Sequence, residues 1–115
     1  GNRRYTYYFY CRQQGIWPQA VSGFHPAADR EKLLQYCPLE NITSDYPPAL
    51  LLHGDQDTDV PYEQSLFMSQ ALSQKGVENQ LVTVKNGGHG FDGDPKNPQV
   101  ISIFEGVVDF LHRHL

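Results

Sequence analysis

Cysteine is nearly absent from this sequence: Cys11 and Cys37 are the only two in 115 residues. Two cannot build a disulfide framework, and they lack metal-ligand spacing, so they read as free thiols or one optional bridge. Long apolar runs are absent as well. None approaches the roughly 18 residues of a membrane span, so no membrane partner is expected. The charged start GNRRYTYYFY is followed by no apolar stretch of the kind a signal peptide needs. It also lacks an initiator Met, and the expectation is a processed product or an excerpt of a longer chain. Hydrophobic residues make up only 39%, which allows a modest core. The length allows one small domain. Positive charge is scarce: the net charge is −4 and the pI about 5.6, which argues against a nucleic-acid partner. The exception is the start, where residues 1–12 hold Arg3, Arg4 and Arg12 and no acid, leaving −7 for the remainder.

What is present sharpens from Pro47 onward. Before it the chain is rich in Tyr, Arg, Gln and Pro and shows little periodicity. RRYTYYFYCRQQG can form one helix closed by Gly15. The stretch from Ile16 to Pro48 reads as irregular, with a short helical turn near Asp29–Tyr36. Asn41-Ile42-Thr43 fits a glycosylation acceptor only in a secreted protein. Then ALLLH (Ala49–His53), bounded by Pro-Pro and Gly, suits a strand buried on both faces. Pro61 can open a helix whose stripe is Leu66, Phe67, Ala71 and Leu72, ended by Gly76. QLVTV (Gln80–Val84) is a second strand and NGGHG a loop. Asn97 and Pro98 suit the N-cap and first position of a last helix. Its apolar face is Val100, Phe104, Val107, Val108, Leu111 and Leu115. A right-handed crossover makes the two strands parallel. The fold class is therefore α/β, a β-α-β-α unit with flanking helices.

The stretch LLHGDQDTDVPYEQS raises a question of chemistry. Asp55, Asp57 and Asp59 alternate at the end of a strand, as at the opening of a calcium loop. That reading fails at both diagnostic places: Val60 stands where Gly is needed and Leu66 where Glu is needed. No metal and no cofactor are expected. The catalytic reading rests on position. In open α/β sheets, reactive groups gather at the carboxyl ends of strands. The aspartates end the first strand and His89 lies just past the second. An aspartate there can orient an imidazole and stabilise its charged form. Glycines around His89 let its loop bend. The remaining histidines read as structural: His25 lies in a Pro-flanked loop, and His112 and His114 point to different faces of a helix end.

LLHGDQDTDVPYEQS followed by GVENQLVTVKNGGHGF resembles the C-terminal part of an α/β-hydrolase of the esterase and prolyl-oligopeptidase-like kind. The resemblance implies that Asp57 is the acid and His89 the base of a Ser-Asp-His triad, in the chain order that fold requires. It covers residues 47–115. Residues 1–46 then look like a helical or irregular connecting, lid-like segment. The family's Gly-x-Ser-x-Gly nucleophile motif does not occur. Ser22 lies in AVSGF, with Ala and Phe where the glycines belong. Ser65, Ser69 and Ser73 read as surface or capping residues of a helix, and Cys11 sits on a Tyr-rich helix rather than a sharp turn.

The function expected is that of a C-terminal fragment of a serine hydrolase acting on esters, with the serine outside this chain. The alternatives are a prolyl-oligopeptidase-like peptidase fragment or a catalytically inactive interaction fragment. The substrate partner is a small-molecule ester or peptide. A two-stranded sheet is marginal alone, and the acid strand would keep an unpaired backbone edge. A homo-oligomer formed through that edge is expected.

Overall fold

The computed structural model describes residues 2–115, in the order α1 (Asn2–Gln13), α2 (Trp17–Ser22), α3 (Arg30–Leu34), β1 (Ala49–Gly54), α4 (Glu63–Gln74), β2 (Asn79–Val84) and α5 (Pro98–His114). Short 3-10 turns at Pro38–Asn41 and Phe91–Gly93 complete it. The elements group into two units that divide between Asn41 and Ile42.

In the first unit, α1 stops where expected, with Gly15 left-handed at φ 68°. α2 lies where the sequence reads as irregular. It holds only six residues, too few to show a period, and it begins with a proline in its first turn and ends on Gly23 at φ 78°. Trp17 at its start meets the Tyr8 ring edge-on at 4.6 Å, which ties α2 to α1. α3 falls inside the expected Asp29–Tyr36 turn. Before it, the His25 Nδ1 accepts from the backbone N–H groups of Ala27 and Ala28. The Asn41 side-chain amide, the atom a glycan would need, donates to the carbonyls of Leu34 at 2.8 Å and Cys37 at 2.6 Å.

The second unit is the β-α-β-α unit read from the sequence. β1 and β2 pair in parallel, Ala49 opposite Asn79 through Gly54 opposite Val84. The connecting α4 packs against both strands. Its fully buried Leu72, together with Val77, Val84, Val100 and Phe110, forms the core. α4 ends at Gly76, left-handed at φ 72°. α5 begins as expected: the Asn97 side chain accepts from the Gln99 backbone N–H at 2.9 Å, with proline in the first turn.

Three expectations about burial do not hold. β1 is only half-buried from Ala49 to Leu52, and full burial begins at His53 and Gly54. Among the described residues β1 pairs with β2 alone, so its other edge has no strand beside it. A groove of about 660 Å³ runs between the Leu50, Leu52 and Val82 face and α5. On α5 the buried residues are Val100 and Phe110, whereas Phe104, Val108, Leu111 and Leu115 of the expected stripe are exposed. The helix is apolar over a wider arc than its surroundings cover, and only Val100 and Phe110 are fully buried on it. On α4, likewise, Leu72 is buried while Leu66 and Phe67 stay exposed.

Candidate active site

The site forms where the loops leaving β1 and β2 touch. Gly54 ends β1 against the turn after β2, and the two backbones are in contact. A Cβ on Gly54 would stand 2.1 Å from the Gly87 carbonyl oxygen and 2.8 Å from that of Gly88. Gly87 is also confined, though by a side chain: a Cβ there would lie 2.8 Å from Val84 Cγ1. Cross-loop bonds lock the contact: Asp55 N–H donates to the Val84 carbonyl at 3.1 Å and Gln56 N–H to the Gly87 carbonyl at 2.9 Å. The glycines of NGGHG thus serve close approach. The left-handed residue of the turn is Asn86 at φ 58°, and its N–H donates to Asp55 Oδ1 at 2.7 Å. Asp55, although exposed, is therefore a tie between the loops.

This contact brings Asp57 and His89 together. The His89 Nδ1 lies 3.0 Å from Asp57 Oδ2. The Asp57 side chain is 6% exposed and that of His89 60% exposed, so a covered carboxylate supports a ring open to solvent. The other oxygen, Oδ1, accepts from the backbone N–H groups of Asp59 at 2.8 Å and Val60 at 2.9 Å. An aspartate readily bonds the backbone two or three residues on. These bonds leave Oδ2 aimed at the histidine. Because an ionised carboxylate only accepts, Nδ1 carries a proton and the lone pair of the neutral ring falls on Nε2.

The same bonds lower the pKa of Asp57. The Val60 N–H lowers it most, the cover over the carboxylate opposes this, and the His89 hydrogen bond, the Asp59 N–H and the His89 charge lower it further, to about 2 from 3.8. A carboxylate depressed on folding stabilises the fold above its unfolded value, and loses that contribution as pH falls through the folded one. The acid loop is expected to hold its order at pH 5 and lose it between about pH 4 and pH 2. Carboxyl carbon chemical shifts followed through that range check this; an Asp57 midpoint near 4 would contradict it.

His53, expected only as the end of the first strand, and Ser65, expected as a surface or capping residue, also belong here. His53, only 8% exposed, has Nε2 at 3.0 Å from the Val60 carbonyl and Nδ1 at 2.6 Å from Ser65 Oγ. Its Nε2 is also 3.3 Å from Asp57 Oδ2. Ser65 is thus no mere surface residue. A histidine ending an apolar strand, with a serine twelve residues on in the first turn of the next helix, was the available signal. Ser69 and Ser73 bond the Asn79 side chain. Among the described residues no group of three or more His, Cys, Asp or Glu side chains is disposed to hold a metal ion, and no helix is long and apolar enough to cross a membrane.

A parallel strand pair with flanking helices, carrying an acid after one strand and a histidine after the next, is the α/β-hydrolase arrangement. The prolyl oligopeptidase family model matches residues 5–115, and the chain belongs to that family. It is 31% identical over 87 residues to a Bacillus subtilis protein described as an uncharacterized peptidase, YuxL, covering 76% of this chain and 13% of that one. Among solved structures it resembles a truncated carbohydrate esterase from gut microbiota. There the TM-score is 0.63 and the identity 25%, over 75% of this chain and 28% of that one. Thermogutta terrifontis esterase 2 with bound propionate gives a TM-score of 0.61 at 28% identity, over 66% of this chain and 29% of that one. The chain spans less than a third of each of these proteins.

Proposed function

We propose that this chain supplies the acid and the base of a serine hydrolase acting on esters, Asp57 as the acid and His89 as the base, with the serine carried by sequence outside residues 1–115. The observation that carries this reading is the 3.0 Å contact between His89 Nδ1 and a covered Asp57 carboxylate. His89 Nε2 would take the proton from the serine hydroxyl as the serine oxygen bonds to the ester carbonyl carbon. Asp57 would stabilise the imidazolium so formed, and His89 would return the proton to the departing alkoxide. Water then repeats the sequence on the acyl-enzyme. Residues 1–115 alone are expected to leave a p-nitrophenyl ester intact, and a longer protein carrying a Gly-x-Ser-x-Gly upstream to hydrolyse it. Equal rates for the two would refute the division of the triad. The family match and the resemblance to YuxL favour a second reading, a peptidase acting on peptide bonds. Comparing a prolyl p-nitroanilide with the ester in the longer protein separates the two.

We further infer that residues 1–115 by themselves associate into a homo-oligomer through the outer edge of β1. This is supported by the single strand pairing of β1 among the described residues and by the exposed Phe104, Val108 and Leu111 of α5. An unpaired strand edge is a template for another chain. Light scattering at micromolar concentration is expected to give a multiple of 13.1 kDa; a stable monomer would contradict the inference.

A further inference from the structure

Behind Asp57 stands a buried imidazole that the acid–base pair does not use. His53 is the penultimate residue of β1, and its ring is edge-on to Tyr62 at 5.6 Å. The titratable groups set against it are Asp57 and Tyr62. Its proton position follows from its partners. The Val60 carbonyl, 3.0 Å from Nε2, can only accept, so Nε2 carries the hydrogen. In the neutral ring Nδ1 is then an acceptor, and the Ser65 hydroxyl 2.6 Å away donates to it. The opposite tautomer would set the single Nε2 lone pair against both the Val60 carbonyl and the Asp57 carboxylate.

We propose that Ser65 and His53 are positioning residues that fix the Asp57 carboxylate for His89. Two routes lead from the ring to Asp57. The Nε2 nitrogen, whose hydrogen bond goes to Val60, lies 3.3 Å from Oδ2, an electrostatic contact with the same oxygen that faces His89. It also holds Val60 by its carbonyl, and the Val60 N–H in turn donates to Asp57 Oδ1 at 2.9 Å. Ser65, placed by the first turn of α4, donates to Nδ1, holding the ring in place and reinforcing the tautomer that the Val60 carbonyl requires. With Ser65 silent, a ring in the Nδ1–H form would repel the Val60 carbonyl and Oδ2, and the carboxylate would turn away from His89. The proposal deepens the reading of Asp57 and His89 as acid and base, and rests on it for its catalytic meaning alone.

The test needs no nucleophile. Ring-nitrogen NMR on residues 1–115 reads the tautomer of His53 and the titration of His89 in the unaltered chain, in Ser65→Ala and in Ser65→Thr. The unaltered chain is expected to show His53 as a single Nε2–H tautomer. Ser65→Ala is expected to bring in the Nδ1–H form and to lower the His89 midpoint by about 0.5 pH unit, part of the shift an adjacent carboxylate gives. Ser65→Thr, which keeps the hydroxyl, should restore both, and His53→Gln, which keeps a donor at the Nε2 position, should restore most of the His89 midpoint. A merely structural role would lower the melting temperature and leave the His89 midpoint where it was. That result, or an Nδ1–H tautomer in the unaltered chain, overturns the proposal. Should the longer protein hydrolyse esters without His89 while these titrations behave as stated, the catalytic reading fails and the coupling through His53 stands.

Discussion

Replacing Asp57 by Asn, in a longer protein that joins this segment to a serine nucleophile, is expected to lower turnover about 10⁴-fold with little change in KM. The network dictates how the new amide must sit. The position of Oδ1 receives two backbone N–H groups, from Asp59 and Val60, so the amide oxygen must occupy it. The amide nitrogen then falls on the position of Oδ2, 3.0 Å from His89 Nδ1 and 3.3 Å from His53 Nε2. It can only donate there. His89 must therefore accept at Nδ1 and carry its hydrogen on Nε2, the nitrogen that has to take the serine proton. The substitution preserves shape and inverts the tautomer. Steady-state kinetics on an activated ester, with the fold checked by circular dichroism, measure it. A loss smaller than tenfold would show that Asp57 does not set the proton on His89.

A methyl group on Gly54 is expected to do more damage to the fold than any other single carbon added near the site. The carbon would lie 2.1 Å from the Gly87 carbonyl oxygen, 2.5 Å from its carbonyl carbon and 2.8 Å from the Gly88 carbonyl oxygen. These are backbone atoms, with no side chain to swing aside. The β2 loop would have to lift, breaking the Gln56 N–H bond to the Gly87 carbonyl and withdrawing His89 from Asp57. Overpacking of this kind costs about 3 kcal/mol at the upper end of its usual range. Gly88→Ala is the control, because a Cβ there meets nothing within 4 Å; its effect should stay within about 0.5 kcal/mol. Urea unfolding of the three proteins decides the matter. Equal midpoints for Gly54→Ala and Gly88→Ala would mean that the two loops are not in the contact described.

The strands, α4 and α5 were legible because each rests on local rules; strand-end position put the three aspartates near His89, and the choice of Asp57 among them came from the resemblance to the α/β-hydrolase motif. Ala49–His53 is a short apolar run stopped by glycine, Asn97-Pro98 starts a helix by capping chemistry, and residues at the ends of adjacent parallel strands meet. What was not legible depends on neighbours distant in sequence. The stripe on α5 names apolar residues but not which of them the fold covers; Val100 and Phe110 are buried and Phe104 is left bare. NGGHG suggests glycine flexibility, whereas the structure uses Gly87 for its lack of a side chain and bends at Asn86. His53 was hidden for a related reason. It looked like the last residue of a strand, and only the return of the chain through Val60 and Ser65 surrounds it with partners.

Whether His89 is the base of a hydrolase whose acid is Asp57 is decided by ester turnover in the longer protein with His89 replaced by Ala. Turnover is expected to fall by roughly 10³- to 10⁶-fold, as when a triad loses its histidine, with folding unchanged because the ring is 60% exposed. Full activity in His89→Ala would contradict that assignment.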